Sequence, residues 1–138
     1  MEKKHWIRVE NRQRTGGESH QIKNEAACAF LRKGDTFYLL YEEKDGTKIT
    51  VKIRGTHATL LRGHSRLDLE QGTRHSCLYE TGYGTLPLET AAQRVEHRFT
   101  SSGGTARLLY DLWYQESLLS HNTVTITVTE QDSMKKDG

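Results

Sequence analysis

Tyr79-Glu80-Thr81-Gly82-Tyr83-Gly84-Thr85-Leu86-Pro87-Leu88-Glu89-Thr90 is the stretch on which the fold of this chain turns. Strand-forming residues lead into a Gly-Tyr-Gly corner, and an apolar/polar alternation leads out of it. Glycine takes a positive φ without a Cβ clash, which a tight strand-to-strand turn often needs. Tyr83 is too large to hide inside so short a turn. It either packs over the end of the structure or is presented to something outside it. The stretch reads as a hairpin corner.

Downstream of the corner, Leu86 and Leu88 alternate with Pro87 and Glu89. Pro87 cannot donate to a ladder, so it marks an edge, a bulge or the first residues of a strand. Arg94 to Thr100 brings Val95, His97 and Phe99 onto one side, and Ser101-Ser102-Gly103-Gly104 reads as a loose turn. Ala106, Leu108, Tyr110, Leu112 and Tyr114 then share one face of a long strand, opposite Arg107, Leu109, Asp111 and Trp113. Val124, Ile126 and Val128 alternate with threonines in a last strand. Positions 131–138 have no apolar anchor and are expected to be a disordered tail after a single domain over 1–130.

Upstream, Arg74 to Thr81 places Cys77 and Tyr79 opposite Leu78, and Arg66 to Glu70 points Leu67 and Leu69 inward. Ile49, Val51 and Ile53 alternate with Lys48, Thr50, Lys52 and Arg54, the cleanest half-buried strand of the chain. It follows Asp45-Gly46, a two-residue hairpin signal. Gly55-Thr56 turns into a strand from His57 to His64. Thr36 to Glu43 is apolar on both faces, as in a strand covered twice or meeting a partner. His20 to Lys33 tolerates a helix at Ala26, Ala27, Ala29 and Leu31. Without a 3.6-residue period, a long bent strand paired with Trp6 to Arg14 is the better reading. About ten short strands joined by local turns predict an all-β antiparallel up-and-down barrel, with a sandwich as the alternative.

The bulk properties fit one such domain. Of 138 residues, 34% are hydrophobic and 28% charged, which suits strands with one wet face better than a thick helical core. A formal net charge of +2, from 20 Lys+Arg against 18 Asp+Glu, is too balanced to argue for nucleic acid. The local excess of Lys3, Lys4, Arg8, Arg12 and Arg14 over Glu2 and Glu10 reads chiefly as an edge strand guarded by cations. Cys28 and Cys77 form no C-x-x-C pair and are read as buried thiols in a reducing compartment. The N-terminus has no apolar leader core, and no run reaches the ~18 apolar residues of a membrane helix, so a cytoplasmic protein is expected.

Tyr41-Glu42-Glu43 before a short turn, Arg62-Gly63, Tyr79-x-Thr81-x-Tyr83-Gly84 and Tyr110-x-Leu112 resemble, in order and spacing, the YwiB-like family of small bacterial proteins. The resemblance runs from about Ile7 to Val128. It implies a calycin-like or lipocalin-like barrel of about 8–10 strands, and it carries no assigned activity.

Seven histidines invite a metal site, but none stands in the H-E-x-x-H or i, i+2 pattern that aims two imidazoles at one ion. No G-x-S-x-G and no phosphate loop is present, so neither an enzyme nor a cofactor is expected. An uncharacterised hydrolase or isomerase is the remaining catalytic alternative. The polar residues on inward faces say more. Tyr41, Glu43, Arg62, Tyr79 and Tyr110 could hold the head group of an amphipathic or anionic ligand, a long-chain carboxylate for example, while apolar walls take its tail. In the competing reading Arg62 pairs with Glu42 or Glu43 to close the barrel end, the tyrosines fill the core, and the protein is an interaction barrel for protein or nucleic acid. Tyr38, Leu40, Leu109 and Trp113 lie on the opposite faces and predict a homodimer interface.

Overall fold

The computed structural model describes residues 4–81 and 83–131, and every regular element in them is a β-strand. In chain order these are β1 (Lys4–Thr15), β2 (Glu18–Lys33), β3 (Thr36–Glu42), β4 (Lys48–Arg54), β5 (His57–Arg62), β6 (Ser65–Glu70), β7 (Arg74–Thr81), β8 (Gly84–Thr100), β9 (Gly103–Tyr114) and β10 (Ser117–Gln131). Hydrogen-bonded neighbours run β6-β5-β4-β3-β2-β1-β10-β9-β8-β7. The result is a nearly closed antiparallel up-and-down barrel. Apart from Gln131 at the end of β10, the expected tail lies outside the described residues, as does Gly82 of the corner.

The first and last strands lie side by side in the middle of the sheet, with Ile7 opposite Val128 and Val9 opposite Ile126. The seam of the barrel therefore falls between β6 and β7, consecutive in sequence. Hydrogen bonds other than a ladder bridge it. The Glu80 N–H donates to Ser65 Oγ at 3.0 Å, and the Thr90 hydroxyl donates to the Asp68 carbonyl at 2.6 Å. The Val95 N–H donates to Gln71 Oε1 at 2.9 Å.

β2 is the other organising element. It pairs with β1 from Glu18 to Cys28 and with β3 from Ala29 to Lys33, so one bent strand belongs to both walls. Its side chains alternate: Asn24, Ala26, Cys28 and Phe30 turn inward while Lys23, Glu25, Ala27 and Ala29 are exposed. Period two, not 3.6, decides between strand and helix here. The same rule fills the interior with Ile7, Leu39, Ile53, Leu69, Leu108 and Ile126, all essentially inaccessible to solvent.

Three local expectations need correction. Asp45-Gly46 belongs to a three-residue loop: the Glu43 N–H donates to the Thr47 carbonyl at 2.9 Å, and Gly46 at φ +90° takes up the bulge. The two segments read on either side of Gln93 are one strand, β8. A bulge between Ala92 and Arg94 shifts the inward phase from Leu88, Thr90 and Ala92 to Val95, His97 and Phe99. The turn after Thr100 is also tighter than expected. Gly103 already begins β9, and Gly104 sits in register between Phe99 and Val128 with φ +141°. A Cβ there would run into the Arg98 carbonyl. At the corner itself Thr81 pairs with Gly84, and Tyr83 is fully exposed, presented outward rather than packed.

One end of the barrel is filled by aromatic rings. Phe30 stacks on Phe37 at 5.7 Å and meets Phe99 edge-on at 5.5 Å, and His97 stacks on Phe99 at 5.5 Å. His97 Nδ1 is buried without a hydrogen-bond partner, and burial holds the imidazole pKa below its ordinary value. The unfolded chain therefore takes up this proton first. Stability from the neutral ring is fully present above the unfolded value of 6.5 and is lost as pH falls through the folded pKa. His97→Phe should flatten that part of the pH dependence, read as urea midpoints from neutral to mildly acidic pH. An unchanged profile would mean that the ring charges freely in the folded barrel.

Candidate functional site

The opposite end of the interior is open. Tyr41 on β3, Ile49 on β4 and Arg62 on β5 are cross-strand neighbours with one inward phase, and Glu43 follows Tyr41 by two residues. From the facing wall, Tyr110 on β9, Asn122 on β10 and Gln13 on β1 form a second cross-strand row. Tyr79 on β7 comes in beside the seam. These residues enclose a cavity of about 510 Å³. Val9, Val51, Leu60, Leu67, Val124 and Ile126 supply its apolar wall. All five site residues expected from the sequence, Tyr41, Glu43, Arg62, Tyr79 and Tyr110, line this one space.

Arg62 and Glu43 sit at the mouth. Arg62 Nη2 donates to Glu43 Oε1 at 2.7 Å and Nε to Oε2 at 3.4 Å, a two-point pair. The Glu43 side chain is 17% exposed and that of Arg62 50%. The pair thus resolves the partner in favour of Glu43 over Glu42, and it is a rim pair rather than an interior one. Truncating the half-exposed Arg62 side chain opens Glu43 to water at the mouth, which removes most of the penalty that a buried unpaired carboxylate would carry. Arg62→Ala should lower stability by about 1 kcal/mol, measured by chemical denaturation. A loss of about 3–5 kcal/mol would instead place the pair in the dry interior.

The phenols of Tyr41 and Tyr110 stay neutral. Burial pushes the Tyr41 hydroxyl up to about 12, with the Glu43 charge adding and Arg62 partly offsetting. Tyr110 is buried, and desolvation, with Tyr79 and Cys77 nearby, raises its pKa further. Both act as hydrogen-bonding groups at any physiological pH. Burial likewise pushes the Cys28 and Cys77 thiols up to about 11, far from the thiolate a nucleophile needs.

The amides that complete the site escaped the sequence reading. Asn11, Gln13, Asn24 and Asn122 all line the cavity. Asn122 is buried and donates to Ser120 Oγ at 3.0 Å, whereas Asn11 Oδ1 is buried with no hydrogen-bond partner. The available signal was phase: Asn11 continues the inward series of Ile7 and Val9, and Asn122 precedes Val124, Ile126 and Val128.

A second space of about 940 Å³ is an outer cleft, formed where β2 leaves β3, along Ala26–Leu31, Leu40–Glu42 and Lys48–Thr50. Tyr41 and Ile49 border both spaces. The residues expected at an interface do not form one patch. Tyr38 and Leu40 are on β3, whereas Leu109 and Trp113 are on β9, with β2, β1 and β10 between. Lys33 and Lys52 lie over the Tyr38 ring at 5.8 and 5.9 Å, and the Arg74 guanidinium covers Trp113 at 5.0 Å. Among the described residues, no three His, Cys, Asp or Glu side chains converge on a point that could hold a metal, and no helix is long and apolar enough to cross a membrane.

Fold and site together define a small nearly closed β-barrel with an unfilled lumen of mixed polarity. The chain belongs to the domain family of unknown function DUF1934, whose model matches residues 7–126. Its structure is similar to the crystal structure of the ywiB protein from Bacillus subtilis, with a TM-score of 0.82, 18% sequence identity and coverage of 94% of this chain and 93% of that one. At that identity the likeness speaks for the fold alone, a YwiB-like barrel of the kind that the family resemblance implied. No curated protein matches the chain.

Proposed function

We propose that the barrel is a non-catalytic binding module that takes one small amphipathic molecule into its lumen. The observation that carries this reading is the unfilled cavity of about 510 Å³, apolar at depth and ringed by neutral hydrogen-bonding groups near its mouth. Small-molecule sites commonly fall in the range of about 300–1,000 Å³, with apolar walls giving affinity and a few polar groups giving orientation. An interaction barrel with a packed interior has no use for such a space. The basic N-terminal hairpin is in part internally compensated, with Arg8 paired to Glu25 at 2.9 Å and Lys23 near Glu10 at 3.8 Å. Two free thiols suit a reducing, cytoplasmic setting.

Native mass spectrometry of the protein purified from its own host tests the reading. A small-molecule adduct at one copy per chain is expected. Co-purifying polypeptide or nucleic acid on an otherwise empty barrel would favour the interaction reading instead.

A further inference from the structure

The lumen selects the head group of its occupant by charge and by hydrogen-bond direction. This inference rests on the binding reading above and deepens it. We infer that the ligand carries an uncharged head that both donates and accepts hydrogen bonds, such as a primary carboxamide or an alcohol, and that the site discriminates against carboxylates.

Two independent observations carry it. Among the described residues the cavity lining contains one cation, Arg62, and one anion, Glu43, and these already engage each other through two contacts. A carboxylate entering the lumen would find no unengaged guanidinium. It would have to displace Glu43, leaving that carboxylate 17% exposed beside a second negative charge. With Arg62 drawn away and the incoming head group covering Glu43 from water, two like charges would face each other, which is the costly arrangement. An ammonium head fails by the same symmetry, since Glu43, the one lining carboxylate among the described residues, is taken.

The second observation concerns Asn11. Its Oδ1 is buried on the cavity wall with no donor, beside the β10 neighbour Val124 and the β2 neighbour Ile22. A buried acceptor left unpaired costs free energy, and a ligand that donates to it recovers that cost on binding. A carboxylate has no proton to give. An amide N–H or a hydroxyl has one, and its oxygen can accept in turn from the neutral Tyr41 or Tyr110 hydroxyls or from the Asn24 amide, all on the same cavity. The Proposed ligand thus matches the cavity in both charge and donor–acceptor sense.

A series with one tail and four heads tests this: decanamide, decanol, decanoate and decylammonium, each competing at neutral pH against the uncharged fluorescent probe N-phenylnaphthylamine. Decanamide and decanol are expected to displace the probe at least about tenfold more effectively than decanoate or decylammonium, a difference of about 1.4 kcal/mol. Glu43→Gln frees the Arg62 fork and should invert the order, with decanoate becoming the best of the four. Asn11→Leu should narrow the advantage of decanamide over decanoate. Circular dichroism and denaturation midpoints confirm that each variant is folded. Decanoate binding the wild type as well as decanamide overturns the head-group inference while leaving lumen binding intact. Failure of the probe and of all four compounds to bind overturns both.

Discussion

Gly104→Ala is expected to cost at least about 3 kcal/mol, a large part of the ~5–15 kcal/mol that holds a domain of this size folded. Two terms add. At φ +141° an L-residue sits in a region that only glycine visits readily, a strain of about 1–3 kcal/mol. The new methyl would also meet the Arg98 carbonyl, a backbone atom held in the β8–β9 ladder that cannot swing aside like a side chain. Relief requires the two strands to separate next to the aromatic plug, where Phe99 is Gly104's cross-strand partner. Gly55→Ala is the control. It has φ +57° in a turn with nothing within 4 Å, so strain without collision should cost about 1 kcal/mol. Urea midpoints of the two variants separate the terms. Equal losses would mean that the β8–β9 contact is not as close as the register implies.

The second large effect is on binding. Val9 lies on β1, half-buried, and lines the lumen between the apolar floor and Asn11. Val9→Phe should abolish lumen binding of decanamide, a loss of more than about a hundredfold, or about 2.7 kcal/mol. Stability should change by less than about 1 kcal/mol. In a close-packed interior the same enlargement would force side chains off their rotamers at a cost of about 1–3 kcal/mol. Where atoms are missing, the ring gains contacts instead. The pair of measurements therefore asks about the space itself. Lost binding at constant stability is the signature of an open lumen, and lost stability would show that the interior is packed.

The sequence revealed what depends on local alternation and hid what depends on distant pairing. Ile49-Thr50-Val51-Lys52-Ile53 announces a half-buried strand because each side chain reports its own face. Phase alone put Tyr41, Glu43, Arg62, Tyr79 and Tyr110 on inward positions, and it also decides that Arg62 meets Glu43 rather than Glu42, since Glu43 shares the face of Tyr41. The bulge at Gln93 was not legible as a bulge. It changes phase inside one strand, and a phase change on paper looks like two strands.

Pairing order is set by contacts far apart in sequence. Nothing in Lys4–Thr15 says that it lies against Ser117–Gln131, or that the seam falls between β6 and β7. The homodimer expectation depended on that missing information, because it needed β3 and β9 to be close. The open lumen was beyond reach for a related reason. Whether inward side chains meet across a barrel depends on its cross-section, and alternation sets only their direction.

The most direct test of the account is a titration of isotope-labelled protein with decanamide, followed through backbone amides and the side-chain NH₂ groups of asparagine. Saturable shifts concentrated at Asn11, Asn122, Tyr110 and Tyr41, on strands from both walls, are expected, because only a molecule inside the lumen touches all four. Shifts confined to the outer surface, around Tyr38 and Leu40 or around Leu109, or no saturable shifts at all, would contradict it.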